Sequence, residues 1–193
     1  TVVIAGVRQQ RHYSIVKITE TGNIIIAVKR QGKVSNALTH LISGSVVEIS
    51  QAQGDFNLNP SPNSILLLAS GSGITAIYAL LQQALTQKIS QIDLIYFSRD
   101  EAFHAELLQL AEQYFNTVAQ QQHLTLQLLE RTVADFGQRL SYACGAAGMM
   151  QSLNQIYQQL GIAQQLKQEY FQVLVDETAS VQPVVVLRAQ QQF

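Results

Sequence analysis

At 193 residues the chain has room for one large domain or two small ones, and 47% hydrophobic against 13% charged residues marks a chain that folds around a core. A net charge of −1 excludes the electrostatic footprint of a nucleic-acid binder. No apolar run reaches the roughly 18–20 residues that cross a bilayer, and the first residues show no basic region followed by an apolar segment and a cleavage site. A single cysteine, Cys144, excludes an internal disulfide and any iron–sulfur cluster held by this chain alone, so a reducing, cytoplasmic setting is expected.

The first stretch reads as β-rich. Val2 to Gly6 has the pattern of a strand ending in a turn, His12 to Ile18 of a second strand, and Asn23 to Val28 of a third after a Thr-Gly turn. Val34 to Leu41 reads as a short helix with Ser35 or Asn36 near its cap, and Ser45 to Ser50 as another strand. Strands joined by short turns predict an antiparallel barrel or sandwich. The segment from Asn57 to Ser64, rich in Asn, Pro and Ser, reads as a linker.

Beyond it strands and helices alternate. Ile65 to Ala69 is a continuous apolar run, the pattern of a strand buried on both faces. Ile74 to Leu85 carries apolar residues at helical spacing. Ile92 to Phe97, Leu124 to Leu129, Leu140 to Cys144 and Phe171 to Val175 read as further strands, with helices over Phe103 to Tyr114 and Gly148 to Leu160. Repeated βα units predict a doubly wound parallel sheet that takes its ligands at the carboxyl ends of the strands.

Gly71-Ser72-Gly73-Ile74-Thr75-Ala76 fits G-x-G-x-x-G/A and falls between the buried strand and the first of these helices. Glycines let the backbone turn tightly and approach a phosphate, and the free amides of a helix start favour an anion. A turn serving chain reversal alone is the plainer reading. The next strand ends in Phe97-Ser98-Arg99-Asp100; an acidic residue at the strand tip would favour the bare ribose of NADH, whereas Ser98 and Arg99 arrive first and lean towards NADPH. Arg99 as a solvated loop charge stays open beside this. His12, His40, His104 and His123 have no metal-ligand spacing, so no metal is expected to be bound by this chain. Ser14 lacks a His–Asp partnership of the hydrolase kind.

Four more motifs fall in order around the glycine turn. Arg11-His12-Tyr13-Ser14 resembles the R-x-Y-S signature of the ferredoxin–NADP reductase superfamily. Ala27-Val28-Lys29 followed by Gly32-Lys33-Val34-Ser35-Asn36 resembles its second flavin motif, Cys144-Gly145-Ala146-Ala147-Gly148-Met149 its C-G-P-x-x-M segment, and Glu169-Tyr170-Phe171 its E-x-F/Y ending. The likeness spreads over most of the chain and is strongest to the reductase components that serve oxygenases, desaturases and other iron proteins.

The resemblance implies FAD and NADPH or NADH as cofactors. It implies that Arg11 pairs with the FAD pyrophosphate, Tyr13 packs on the flavin ring and Ser14 hydrogen-bonds near its reactive nitrogen. Val28 and Lys29 belong to the flavin side, and Gly32, Lys33, Val34 and Ser35 would bring amides and a hydroxyl to the pyrophosphate. Gly71, Gly73, Thr75, Gly145 and Cys144 would line the nicotinamide-nucleotide side, with Glu169 and Phe171 closing the site and Ser14, Cys144 and Glu169 as the catalytic set. Taken alone, Tyr13 reads as a cross-strand residue, Cys144 as a small buried hydrophobe and Glu169 as a surface carboxylate.

The expected architecture is therefore a partial antiparallel flavin-binding barrel over residues 1–58, a doubly wound NAD(P)-binding domain over 64–180, and a C-terminal strand or linker over 181–193. Only about ten residues precede R-x-Y-S, Arg131 to Arg139 is short for the family's loop, and the family's prolines are Ala76 and Ala146 here. Val184 to Leu187 resembles the strand leading into a fused ferredoxin domain, and a trimmed form of a longer protein is expected. The implied chemistry is hydride transfer to FAD and release of single electrons to a ferredoxin-type iron–sulfur protein or an oxygenase or desaturase component. The alternative is a nucleotide-binding or regulatory module that keeps the fold without turnover.

Overall fold

A computed structural model describes residues 2–4, 6–58, 62–98, 103–114, 116–120, 124–171 and 181–185, with backbone alone at 2–4, 104, 111–114, 116–120 and 181–185. The described residues divide into two compact units, one drawn from Thr1–Ser14, Ile26–Asp55 and Gln172–Phe193, the other from Ile15–Ile25 and Phe56–Phe171.

In the first unit β1 (Val2–Ile4) turns at Gly6 into β2 (Val7–Gln9), pairing Val2 with Gln9. Gly6 has φ +77°, which an L side chain rarely adopts, so the expected strand ends in a turn there, and the chain folds back as a hairpin. Residues 10–14 are irregular, so Tyr13 and Ser14 precede a strand rather than lie in one. α1 (Lys33–Thr39) is capped by Gly32, not by Ser35 or Asn36. Ser35 sits one turn in, and its hydroxyl accepts from the amides of Gln31 and Gly32 at 3.0 Å and donates to the Gly32 carbonyl. β5 (Val46–Ser50) pairs antiparallel with β11 (Val181–Val185), with Pro183 opposite Glu48. Proline has no N–H for a ladder, which suits the border of a sheet. Residues 186 and 187 of the expected last strand lie outside the described residues. An exposed ion pair joins Arg8 to Glu48.

β3 (Ile15–Ile18) and β4 (Ile24–Ile26) form a hairpin around Gly22. Among the described residues the pairs β1–β2, β3–β4 and β5–β11 are separate two-stranded ladders, so the antiparallel part of the expected fold is present and closure into a barrel is not shown.

The second unit holds a five-stranded sheet in the order β10-β9-β6-β7-β8, parallel throughout: β6 (Ser64–Ser70), β7 (Gln91–Phe97), β8 (Asn116–Gln120), β9 (Leu140–Cys144) and β10 (Leu166–Glu169). The chain runs outward from β6 to β8, then returns to place β9 on the other side of β6. β6 is central and buried from Ile65 to Ser70, which is why it reads as an unbroken apolar run. α2 (Ile74–Thr86) follows β6 and turns Ile77, Leu80, Leu81 and Ala84 inward; β3 packs on it. α3 (His104–Tyr114) leads from β7 to β8. α5 (Ala147–Gln159) and α4 (Leu126–Thr132) share a core with Leu66, Leu68, Ile95 and Ala143.

One expected strand is corrected. Leu124 to Leu129 belongs largely to helix α4, where Thr125 caps by accepting from the Leu128 amide at 3.1 Å and Leu128, Leu129 and Val133 are buried together. Its Leu-Thr-Leu-Gln-Leu alternation imitates a strand, but the cap and the i, i+4 burial favour the helix. The strand of this βα unit is β8, a polar sequence held by pairing with β7. Among the described residues the last parallel strand is β10; of the expected strand Phe171 to Val175, Phe171 is non-strand and exposed, and residues 172–175 lie outside the described residues. The amino edge of the sheet is closed by Arg139, which pairs with Asp93 and, at 2.7 Å, with Asp135.

Candidate nucleotide site at the centre of the parallel sheet

The sheet order reverses between β6 and β9, the place at which a doubly wound sheet takes a ligand at the carboxyl ends of its strands. Gly71 turns with φ +52°, Gly71–Gly73 form a single 3-10 turn, and α2 starts at Ile74 with no side-chain cap and no acid in its first turn. α5 likewise starts behind Ala146 with no side-chain cap and no acid. Its first i→i−4 bond runs from the Met150 amide to the Ala146 carbonyl, so the amides of Ala147, Gly148 and Met149 precede the helical ladder. Neither helix start has an acid in its first turn; the Ile74 amide already donates back into the Gly71–Gly73 turn, and such starts favour an anion at their remaining amides.

The two turns interlock. A Cβ on Gly73 would overlap the Cys144 carbonyl and stand 2.7 Å from the Gly145 nitrogen. A Cβ on Gly145 would overlap the Ser70 hydroxyl and stand 2.8 Å from the Ser70 nitrogen. Ser70, the last residue of β6, accepts a hydrogen bond from the Ala146 amide at 2.7 Å. The Tyr96 hydroxyl reaches the Gly71 carbonyl at 3.4 Å. Neither Ser70 nor Tyr96 stands out from sequence; a serine directly before the glycine turn was the available signal.

Thr75 is buried, and its hydroxyl donates to the Ser72 carbonyl at 3.0 Å, bracing the turn. Cys144 is fully buried at the end of β9, opposite Glu169 of β10. Burial, helped by the Glu169 carboxylate, pushes its thiol up to about 12, so at neutral pH it is an uncharged S–H group. Glu169 is half-buried and Phe171 exposed just past it; Gly145 and Ser98 are half-buried. Arg99 lies outside the described residues.

The remaining predicted residues are in the first unit. Arg11 is exposed and donates to the Gln10 carbonyl at 2.6 Å. Tyr13 is half-buried, and burial raises its phenol against the opposing pull of Arg11, which puts the two side chains near one another. Ser14 and Val28 are half-buried, Lys29 and Lys33 exposed, Val34 and Ser35 buried. The amide of Gly32 and the hydroxyl of Ser35 are spent on each other, which leaves the Lys33, Val34 and Ser35 amides at the start of α1. Among the described residues no group of three or more His, Cys, Asp or Glu could hold a metal, and no helix is long and apolar enough to cross a membrane.

This architecture defines two units, a doubly wound α/β unit of the nucleotide-binding kind and an antiparallel β unit. No protein-family model matches the chain. It is 30% identical over 179 residues to the ferredoxin reductase component of a 3-ketosteroid-9-alpha-monooxygenase from Mycobacterium tuberculosis, covering 85% of this chain and 50% of that protein. It is 29% identical over 151 residues to an NADPH oxidoreductase of the same species, covering 70% and 40%. Among solved structures, flavohemoglobin from Malassezia yamatoensis superposes with a TM-score of 0.71 at 20% identity over 85% of this chain and 47% of that one. Ferredoxin–NADP+ reductase from Plasmodium falciparum gives 0.64 at 16% over 82% and 76%. The chain belongs to the ferredoxin–NADP reductase superfamily. It spans half or less of the length of these two curated relatives.

Proposed function

We propose that the chain carries the nucleotide-binding part and a portion of the flavin-binding part of an NAD(P)H-dependent flavin reductase. The observation that carries this is the interlocked pair of uncapped helix starts at the β6/β9 reversal. The names of the relatives, an NADPH oxidoreductase and a ferredoxin reductase component, support the same reading.

FAD, when bound, supplies a two-electron acceptor for hydride that can release its electrons singly to an iron-containing partner. The residues of the first unit suit it: Arg11 keeps further N–H groups for a pyrophosphate, and the amides at the start of α1 are open beside Lys29 and Lys33. In the second unit the amides of the Gly71–Gly73 turn and of the start of α5 are proposed to bind the nucleotide phosphates. Thr75 and Gly73 shape the turn beside the nicotinamide, and Cys144 contributes an uncharged surface that excludes water. Hydride transfer needs orientation rather than a general acid or base. The half-buried Glu169 is proposed to handle protons, with Glu169→Gln as its test: unchanged flavin reduction and acceptor turnover remove that role. The proposed acceptor is a ferredoxin-type iron–sulfur protein or an oxygenase component, and the proposed donor NADPH, through Ser98 and Arg99.

The test is anaerobic mixing of FAD-reconstituted protein with NADPH or NADH. Loss of flavin absorbance that saturates with nucleotide is expected; a flavin-loaded protein that does not bleach is a binding module instead. Equal use of both nucleotides, unchanged by Arg99→Ala, overturns the NADPH preference.

A further inference from the structure

We propose that Ser70 is a positioning residue that sets the width of the nucleotide crevice by tying its two turns together. This inference rests on the reading of that crevice as the NAD(P)H site.

Ser70 ends the central strand and is itself only 8% exposed. Its hydroxyl does not serve its own turn or helix. It crosses to the neighbouring βα unit and accepts the amide of Ala146, 76 residues away in sequence, at 2.7 Å. Ala146 occupies the cap position of α5 with extended dihedrals, φ −62° and ψ 145°, and alanine has no side chain to cap a helix. The bond from Ser70 therefore holds the residue from which the free α5 amides project.

The surrounding contacts make this bond a ruler. Gly145 has no room for a Cβ between Ser70 and the Met149 side chain, and Gly73 has none against the Cys144 carbonyl. The two turns are thus at closest approach from both sides: glycine permits the approach and the serine bond fixes it. The β6 and β9 backbones are already paired up to Ala69 and Cys144, so beyond the last ladder pair this side-chain bond is what continues the register into the turns. Ser70 is also buried. It therefore acts through Ala146 rather than by touching the nucleotide.

Such a residue preorganises ground state and transition state alike. Its loss weakens nucleotide binding and raises KM while kcat holds, whereas a purely structural defect lowers the active fraction, and so kcat, at constant KM. The experiment compares wild type, Ser70→Ala and Ser70→Thr of the FAD-reconstituted chain. It measures NADP+ and NAD+ affinity by calorimetry, KM and kcat for flavin reduction with each reduced nucleotide, and hydrogen exchange at the Ala146 amide without nucleotide. Ser70→Ala is expected to speed that exchange and to raise Kd and KM by about tenfold, the size of one buried hydrogen bond. Its kcat is expected to stay within about twofold of wild type. Ser70→Thr, which keeps the oxygen, restores all three.

Wild-type affinity in a Ser70→Ala protein whose Ala146 amide exchanges fast overturns the inference alone. So does a fall in kcat at unchanged KM. A wild-type chain whose Ala146 amide is protected but which binds neither nucleotide overturns the reading of the crevice, and the inference with it.

Discussion

Replacing Gly73 by alanine tests the closeness of the two turns most directly. Gly73 has φ −59° and ψ −19°, a conformation alanine adopts readily, so the backbone itself imposes no penalty. The whole effect is steric. The new Cβ would overlap the Cys144 carbonyl and stand 2.7 Å from the Gly145 nitrogen, and both are backbone atoms with no rotamer to escape into. Relief requires the β9–α5 turn to move by about an ångström, and overpacking of this kind costs about 1–3 kcal/mol. For a chain of this length that lowers Tm by about 2–12 °C. The same shift misplaces the α5 amides, and displacements of that size reduce kcat/KM by about 100-fold.

The assay pairs thermal unfolding with anaerobic flavin reduction. Gly148→Ala is the control for stability, because a Cβ there meets nothing within 4 Å; its Tm is expected to stay level or rise, since alanine is the better helix former by about 1 kcal/mol. A Gly73→Ala protein with wild-type Tm and wild-type kcat/KM would refute the packing argument.

Four further substitutions test other parts of the structure. Arg139→Met leaves the Asp93 carboxylate without its buried partner and is expected to lower the unfolding free energy by about 3–5 kcal/mol in urea titration. Asp135→Asn, at a carboxylate 43% exposed, is expected to lower it by about 0.2–1 kcal/mol. The Arg139 hydrogen bond holds the Asp135 carboxyl below its ordinary value, so its contribution is full above the unfolded carboxylate range and is lost as pH falls through the folded value. The gap between wild type and Asp135→Asn should therefore close in acid; a gap that widens contradicts the pairing.

The Tyr142 hydroxyl is buried and meets no hydrogen-bond partner among the described residues. Tyr142→Phe is expected to leave stability unchanged or raise it by about 1 kcal/mol, and a clear loss would reveal a partner. The Cys144 thiol, raised from 9.0 to about 12, stabilises the fold fully below pH 9.0 and loses that contribution as pH rises towards 12. Wild type should fall more steeply in urea stability over that window than Cys144→Ala, in which the raised Tyr157 phenol still contributes, and a parallel decline would contradict the burial argument.

The central strand, the glycine turn and α2 were legible from the sequence alone. A run of apolar residues from Ile65 to Ala69, two glycines and a helical period are local signals, and local sterics alone enforce them. The same holds for β7, β9 and α5, whose apolar patterns match their burial. Tertiary structure decided what depends on a distant partner. β8 is polar and exists by pairing with β7, while Leu124 to Leu129 gave up its strand-like alternation to the Thr125 cap and a helix face. The Ser35 hydroxyl is engaged with the turn before α1, a partnership that spacing does not show. The site divides in the same way. Gly71 and Gly73 stood out through their spacing and Thr75 through the family resemblance, whereas the Ser70 bond to Ala146 spans 76 residues and leaves no periodic trace. Spacing along the chain reports the turn a glycine permits; only the folded sheet brings β6 beside β9 and shows what that turn must press against.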